Sequence, residues 1–176
     1  MKNFALIGAA GYIAPRHMKA IKETGNNLIV AYDISDSVGI IDSFFPKSSF
    51  FNCFNEFKEF LKKNKKKIDF FSICTPNFLH SEFIELGLKM ECDVICEKPL
   101  VENTQDIKKL KELELSTRKK IYSILQLRHH PVIKNLKKKI DRFSTKKYDV
   151  ELTYVTGRGP WYEKSWKKNT KKSFGL

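Results

Sequence analysis

Two glycines near the amino terminus are the residues whose spacing first suggests chemistry. Gly8 and Gly11 directly follow an apolar run and precede a helix-like stretch. Small residues in such a turn let main-chain N–H groups approach a pyrophosphate at the positive end of a helix. Ala10 stands where the commonest G-x-G-x-x-G pattern has its second glycine, so the turn by itself equally fits a plain strand-to-helix connection.

A carboxylate makes nucleotide binding the better interpretation. Asp33 ends a second apolar run about 25 residues after Gly8, where a dinucleotide site needs an acceptor for the adenosine ribose 2′-OH. The order strand, helix, strand and then Asp33 matches that of a dinucleotide-binding unit. The pattern therefore predicts a dinucleotide site.

Polar residues follow three further apolar runs. They are Thr75-Pro76-Asn77 with His80 one turn later, Glu97-Lys98-Pro99, and the stretch from Gln126 to His130. Ligands of a doubly wound sheet bind at the carboxyl ends of its strands. We therefore expect these groups to converge on the crevice that contains the glycine turn.

Lys98 has the side chain best suited to act on a substrate. Its ammonium at a strand end could face a hydroxyl or carbonyl and assist proton movement while a hydride leaves for a nicotinamide. The alternative is an exposed Glu97–Lys98 pair at the start of a loop. His80 could instead cap the following helix. His129 and His130 lack a carboxylate or third histidine at helical spacing, so we expect no metal site.

An aromatic and basic loop lies near the carboxyl end of the sequence. Arg158, Tyr162 and Trp166, with Trp161 and Lys164, could hold a diphosphate and stack on a uracil or a sugar. The same residues could equally be core anchors for a further domain. The sequence leaves both interpretations open.

The elements that must position these residues alternate between apolar strands and amphipathic helices, which predicts a doubly wound parallel α/β sheet. Strands are predicted near 4–7, 28–32, 68–74, 93–96 and 121–127, and helices near 12–24, 54–61, 79–90, 107–113 and after Pro131. Residues 148–156 alternate apolar and polar side chains, which predicts a half-exposed antiparallel strand. We expect residues 1–128 to form a Rossmann domain, and residues 129–176 a connecting helix and the first strand of an incomplete α+β substrate domain.

Composition narrows the class of protein. The 176 residues are 41% hydrophobic and carry a formal charge of +13. Lysines cluster at expected helix ends and outer faces, arginine is scarce, and no stacking aromatics interleave with the lysine runs. Solvated surfaces are therefore favoured over a nucleic-acid interface. Four cysteines without a C-x-x-C pair indicate reduced thiols in a cytoplasmic protein, and neither a signal peptide nor a membrane span is expected.

Several motifs together resemble one known family. The segment Gly8–Ala14 with Pro15-Arg16-His17, the segment Thr75–His80, and Glu97-Lys98-Pro99 are similar to the glucose–fructose oxidoreductase/inositol dehydrogenase (Gfo/Idh/MocA) family. Residues 31–34, 125–130 and 157–162 resemble a narrower branch. Its members are bacterial dehydrogenases that oxidise C3 of UDP-N-acetyl-2-amino-2-deoxyglucuronate for lipopolysaccharide sugars.

The resemblance implies roles for individual residues and NAD as cofactor. Asp33 would bind the adenosine ribose, Glu97 would lie near the nicotinamide ribose, and Lys98 would contact the reacting hydroxyl. Arg158, Tyr162 and Trp166 would contribute to the nucleotide-sugar pocket. The pyrophosphate would be bound by Gly8, Ala10, Gly11, Tyr12 and Ile13. The nicotinamide side would be lined by Thr75, Pro76, Asn77 and His80.

One departure from the family limits what the resemblance implies. Family members have a second α/β domain that supplies a histidine acting with the lysine, and no histidine here lies in a matching position. We therefore expect a truncated chain with weak or no activity, which would form a homo-oligomer if full length. The alternative is a dinucleotide-binding or partner-binding module without catalysis. A basic nucleic-acid binder would be supported by charge alone.

Overall fold

A six-stranded parallel sheet forms the centre of the protein. The computed structural model describes residues 1–141, 145 and 147–173. The strands are β1 (Asn3–Ile7), β2 (Asn27–Tyr32), β3 (Ser49–Phe51), β4 (Phe70–Ile73), β5 (Asp93–Cys96) and β6 (Ile121–Ser123). They lie in the order β3-β2-β1-β4-β5-β6, and every adjacent pair is parallel. The predicted doubly wound α/β sheet is thus confirmed.

Helices connect the strands and cover the sheet. They are α1 (Ala14–Glu23), α2 (Ile40–Phe44), α3 (Phe54–Asn64), α4 (His80–Lys89), α5 (Thr104–Thr117), α6 (Pro131–Asp141) and α7 (Thr170–Ser173). Short 3-10 helices lie at Lys65–Lys67, Asn77–Leu79, Gln126–His129, Pro160–Lys164 and Trp166–Lys168. No helix in the described part of the chain is both long enough and apolar enough to cross a membrane.

Two apolar clusters lie on opposite faces of the sheet. One contains Met18 of α1 and Ile41 of α2, and the other contains Leu61 of α3, Ile84 of α4 and Leu110 of α5. Alternate side chains of β1 belong to different clusters, as expected for a strand buried on both sides. The helices that follow β1 and β4 therefore lie on opposite faces of the sheet, so the chain switches face between these two neighbouring strands. Open α/β sheets bind ligands at this switch point.

Local signals in the sequence explain where α5 begins and where α1 ends. Asn103 precedes α5, and its side-chain oxygen accepts the main-chain N–H of Asp106 at 2.8 Å, so Asn103 caps this helix. Gly25 follows α1 with φ +71°, a conformation in which glycine is the least strained residue.

Two strands differ from the sequence prediction. β3, which has only three half-buried residues, was not predicted because it is too short to show a period. β6 was predicted to continue to residue 127 but ends at Ser123. The chain then turns into the 3-10 helix at Gln126–His129, so the polar residues there follow the strand instead of extending it.

The predicted antiparallel strand at residues 148–156 is wrong. Residues 147–159 adopt neither helix nor strand, and Leu152, Tyr154 and Val155 are exposed. The alternating pattern is present, but the described residues provide no neighbouring strand to pair with it, and a lone strand is not stable in water. The helix predicted after Pro131 is confirmed as α6. The apolar spacing of its sequence continues to Phe143, which lies outside the described residues. The boundary at residue 128 stays a prediction.

Candidate cofactor and active site

The glycine turn after β1 packs against the end of β4. Gly8 has φ +86°, and a Cβ atom there would lie 2.7 Å from the Cys74 carbonyl carbon. A Cβ on Gly11 would lie 3.0 Å from the Gly8 oxygen. Ala10, in contrast, is exposed, and Ala14 is fully buried at the start of α1. The positions that need a small residue are therefore Gly8, Gly11 and Ala14, so alanine at position 10 is no obstacle to the motif.

The turn leaves main-chain donors free at the start of α1. Gly11 and Ala14 donate their N–H groups within the turn, at 3.0 Å each. The N–H groups of Tyr12 and Ile13 meet no acceptor among the described residues, and no side chain caps the helix. Unpaired N–H groups at the positive end of a helix can bind an anion such as a pyrophosphate.

Asp33 lies beside this turn, as the sequence predicts. Its Oδ2 accepts the Ala10 N–H at 2.9 Å, and its Oδ1 accepts the Ser35 N–H at 2.9 Å. Each carboxylate oxygen has a further lone pair, so the half-buried group can still accept a hydroxyl proton. The acidic residue is thereby fixed in position next to the pyrophosphate donors.

The residues after β4 lie against the same turn. The Cys74 N–H donates to the Ile7 oxygen at 2.8 Å, which aligns the ends of β1 and β4. The Thr75 hydroxyl is buried and has no hydrogen-bond partner among the described residues. Such a group is available to a ligand, because buried polar atoms are nearly always paired in the working state of a protein. Pro76 and Asn77 follow at the start of the 3-10 helix that leads to α4.

The turn after β5 presents Lys98 to solvent. The Glu97 N–H donates to Ile73 at 3.2 Å, and the Lys98 N–H donates to Oε2 of Glu97 at 3.3 Å. The Lys98 ammonium is exposed and forms no ion pair within the described part of the chain. The exposed Glu97–Lys98 pair considered as an alternative is absent, because Glu97 is turned inward.

Glu97 forms a buried contact that the sequence analysis missed. His17 of α1 places Nε2 3.1 Å from Oε1 of Glu97 and Nδ1 2.7 Å from the Ser72 hydroxyl. Burial alone would raise the pKa of Glu97. The hydrogen bond and charge of His17, with the N–H and charge of Lys98, outweigh burial and hold the pKa below its usual range. The available signal was helical spacing, since His17 lies three residues after the buried Ala14.

The structure changes the role expected for His80. Its ring is fully buried, with Nδ1 2.7 Å from the Pro99 oxygen and Nε2 3.0 Å from the Thr75 oxygen. A ring enclosed in this way does not reach the crevice, so His80 is not placed to contact the nicotinamide directly. The helix-cap alternative does not fit either, because both ring nitrogens face loop carbonyls. His80 joins the loops after β4 and β5.

The aromatic and basic loop is only partly brought to the site. The Trp166 ring packs edge-on against Phe78 in the loop after β4, with centroids 6.3 Å apart. The Arg158 guanidinium lies 4.6 Å from the centroid of the Tyr162 ring, and the Tyr162 hydroxyl donates to Lys167 at 3.0 Å. Trp166 is thus near the crevice, whereas Arg158 and Tyr162 contact each other.

The stretch from Gln126 to His130, which follows β6, is exposed. His129 and His130 are both open to solvent. Within residues 1–141, 145 and 147–173, no three His, Cys, Asp or Glu side chains lie together in a way that could hold a metal ion.

Comparison with known proteins defines the class. The model of the oxidoreductase family with an NAD-binding Rossmann fold, Gfo/Idh/MocA, matches residues 2–125. The chain therefore belongs to this family. The sequence-based predictions of the family and of NAD as its cofactor are confirmed.

Solved structures show which kind of dehydrogenase in this family the chain resembles. The WlbA (WbpB) dehydrogenase from Thermus thermophilus in complex with NAD and alpha-ketoglutarate is 46% identical to this chain, with a TM-score of 0.93. The same enzyme in complex with NAD and UDP-GlcNAcA is matched at 44% identity and a TM-score of 0.93. Both matches cover 100% of this chain but 58% of the other, so this chain spans less than two thirds of their length.

A more distant structure shares the fold alone. Myo-inositol 2-dehydrogenase from Lactobacillus plantarum is 19% identical, with a TM-score of 0.69 over 81% of this chain and 42% of the other. This match supports the architecture and carries no information about the substrate of this chain.

Proposed function

We propose that this chain is the NAD-binding portion of a dehydrogenase that oxidises the C3 hydroxyl of a UDP-N-acetylaminoglucuronate-type nucleotide sugar. NAD binding is supported mainly by the glycine turn. Its Tyr12 and Ile13 N–H groups have no acceptor among the described residues, and its Ala10 N–H holds the Asp33 carboxylate beside them. The substrate half is supported by the 44% identity to a dehydrogenase whose structure contains NAD and UDP-GlcNAcA.

In this proposal different residues of the crevice bind different parts of NAD. The N–H groups at the start of α1 bind the pyrophosphate, and Gly8, Ala10 and Gly11 let it approach the main chain. Asp33 accepts the adenosine ribose hydroxyl, which favours NAD over NADP. Thr75, Pro76 and Asn77 line the nicotinamide side, and Glu97 lies near the nicotinamide ribose.

The chemistry requires a group that handles the hydroxyl proton. NAD, when bound, accepts the hydride from C3. Lys98 is the exposed cation at the adjoining strand end. We assign its ammonium to donate a hydrogen bond to the reacting hydroxyl oxygen, which favours loss of the hydroxyl proton to a separate base. We expect the chain alone to turn over weakly or not at all, because none of the described residues is assigned as that base.

Substrate recognition is assigned to the aromatic and basic loop. Trp166, near the crevice through Phe78, offers a ring for stacking on a uracil or sugar. Arg158 and Tyr162 offer a guanidinium and an aromatic face for the diphosphate. We include these three residues in the proposed pocket and residues 129–176 in a connecting and substrate-binding region.

The setting of the protein forms part of the same proposal. Free, buried cysteines at positions 74, 92 and 96 suit a reducing cytoplasm. Lysines paired with nearby carboxylates, such as Lys65 with Glu91 and Lys109 with Glu85, are partly neutralised, which supports a solvated surface over a nucleic-acid partner. A homo-oligomer of the full-length protein stays a prediction.

Cofactor titration tests the proposal. NADH should bind with enhanced fluorescence, and the Lys98→Met variant should bind it with the same affinity because Lys98 is assigned to the substrate. Any reduction of NAD in the presence of UDP-GlcNAcA should be lost in Lys98→Met. An absence of NADH binding at millimolar cofactor would reject the dehydrogenase and the cofactor-binding module alike. Binding that UDP-GlcNAcA does not affect would favour the module without catalysis.

A further inference from the structure

The contact between His17 and Glu97 is buried although both groups can carry charge. Their side chains are 9% and 12% exposed, and they line an apolar cavity of about 400 Å³ between α1 and the sheet. Ser72 of β4 completes the group through Nδ1 of His17. Buried ionisable groups are costly unless each one is hydrogen-bonded, so an arrangement of this kind needs a structural or functional reason.

The ionised carboxylate fixes the direction of the hydrogen bond between His17 and Glu97. An ionised Glu97 can only accept, so Nε2 of His17 must carry the proton that joins them. In a neutral ring Nδ1 is then an acceptor, and the Ser72 hydroxyl donates a hydrogen bond to it. A protonated ring would still donate from Nε2 to Glu97. The bond to the carboxylate is therefore kept in both protonation states of His17.

We propose that His17 is a positioning residue for the NAD site, which holds the Glu97 carboxylate turned inward behind Lys98. This inference rests on the proposed function, because the site it serves is the proposed one. The same carboxylate accepts the Lys98 N–H through its second oxygen. Through Glu97, α1 is linked to the turn that presents the Lys98 ammonium, and the role assigned to His17 requires no contact with cofactor or substrate.

Removing the donor should leave the carboxylate buried without its main partner. Glu97 then meets the penalty of burial with less compensation, so it takes up a proton more easily or turns out toward solvent. Either outcome shifts the turn that carries Lys98. Glutamine at position 17 retains an N–H donor near the Nε2 position, whereas phenylalanine fills similar space without one.

Titration of the Glu97 carboxyl carbon by NMR, assigned through Glu97→Gln, tests the proposal. The midpoint should rise by about one pH unit or more in His17→Phe and stay near that of the unsubstituted chain in His17→Gln. NADH should bind about tenfold more weakly to His17→Phe and within about threefold of normal to His17→Gln. His129→Phe, the same change at an exposed histidine, should alter neither measurement.

Equal Glu97 midpoints in the unsubstituted chain and in His17→Phe would overturn the proposal. If His17→Phe does not fold, a long-range 1H–15N spectrum of the unsubstituted chain decides, since a bare Nε2 on His17 is incompatible with donation to Glu97 and a protonated Nε2 supports it. The carboxyl titration and the 1H–15N spectrum need no cofactor. If NADH fails to bind at all, the proposed function fails while the carboxyl titration still reports whether His17 holds Glu97.

Discussion

The main-chain N–H of Ala10 donates to the Asp33 carboxylate at 2.9 Å. Asp33 follows β2 and Ala10 belongs to the turn after β1, so this bond fixes the shape of the glycine turn from the neighbouring strand. The residue that we assign to the adenosine ribose therefore also helps to form the pyrophosphate site. Its substitution should affect both parts of cofactor recognition.

Asp33→Asn should weaken NADH binding and reduce the preference for NADH over NADPH. The amide offers one acceptor oxygen in place of two and no longer repels a 2′-phosphate. We expect a loss of about tenfold to a hundredfold in NADH affinity, the usual effect of losing a hydrogen bond to a charged group. Fluorescence titrations with both cofactors measure it. The exposed Asp36→Asn serves as the control, and an unchanged cofactor ratio would contradict the assignment.

Gly8→Ala should destabilise the fold as well as abolish cofactor binding. The positive φ alone costs about 1–3 kcal/mol for alanine, and the new Cβ would meet the Cys74 carbonyl carbon at 2.7 Å. Gly39→Ala is a matched control, because a Cβ there has no atom within 4 Å. Urea unfolding of both variants provides the comparison. Similar unfolding midpoints for the two would show that the turn is not packed as described.

Only Cys53 should react with a thiol reagent in the folded chain. It is exposed, whereas Cys74, Cys92 and Cys96 are buried. Burial raises the pKa of Cys92 to about 12 and raises the pKa of Cys74 and Cys96 strongly, so none of these three forms a thiolate at neutral pH. Native labelling should give one equivalent, and Cys53→Ser should give none. All four should react after unfolding, and a second equivalent under native conditions would disprove the burial.

Asp69 should make stability depend on pH at acid values. Burial alone would raise its pKa, but the Lys2 ammonium at 2.8 Å and the Asn3 N–H at 2.9 Å bring the pKa below its ordinary value of 3.8. A carboxylate with a lowered pKa stabilises the folded state above its ordinary pKa. That stability is lost as the pH falls through the folded value.

The variant Asp69→Asn should therefore lose about 1–2 kcal/mol of unfolding free energy at neutral pH, a figure reduced by partial exposure of the pair. The difference from the unsubstituted chain should start to shrink as the pH falls below 3.8 and should vanish only when the folded Asp69 is itself protonated at lower pH. Asp36→Asn should show no such trend in urea unfolding across the same pH range. A difference that is constant with pH would rule out the ion pair as the cause.

Features with a strong local period could be predicted from the sequence. The strand from Asp93 to Cys96 agrees with the prediction, because an apolar run is a signal that acts over a few positions. The glycine turn and Asp33 were likewise predictable, since close main-chain approach requires particular residue types. These elements place most of the candidate site.

Contacts between distant positions could not be predicted in the same way. His17 meets Ser72 and Glu97, which are 55 and 80 residues away in sequence, and no local pattern encodes either contact. His80 was expected in the crevice because its type suggests chemistry, but burial decides its role. The alternation at residues 148–156 met every local requirement for a strand. Among the residues that the structure describes, it has no neighbouring strand to pair with, which strand formation also needs.

The exposed segment at residues 147–159 has a consequence for the colloidal behaviour of the chain. Leu152, Tyr154 and Val155 present exposed apolar side chains that could pack against the same segment of another copy. The formal charge of +13 opposes such an encounter through mutual repulsion. Salt at 0.1 M confines that repulsion to about 10 Å. Added salt should therefore promote self-association, and dilute buffer should keep concentrated samples clear.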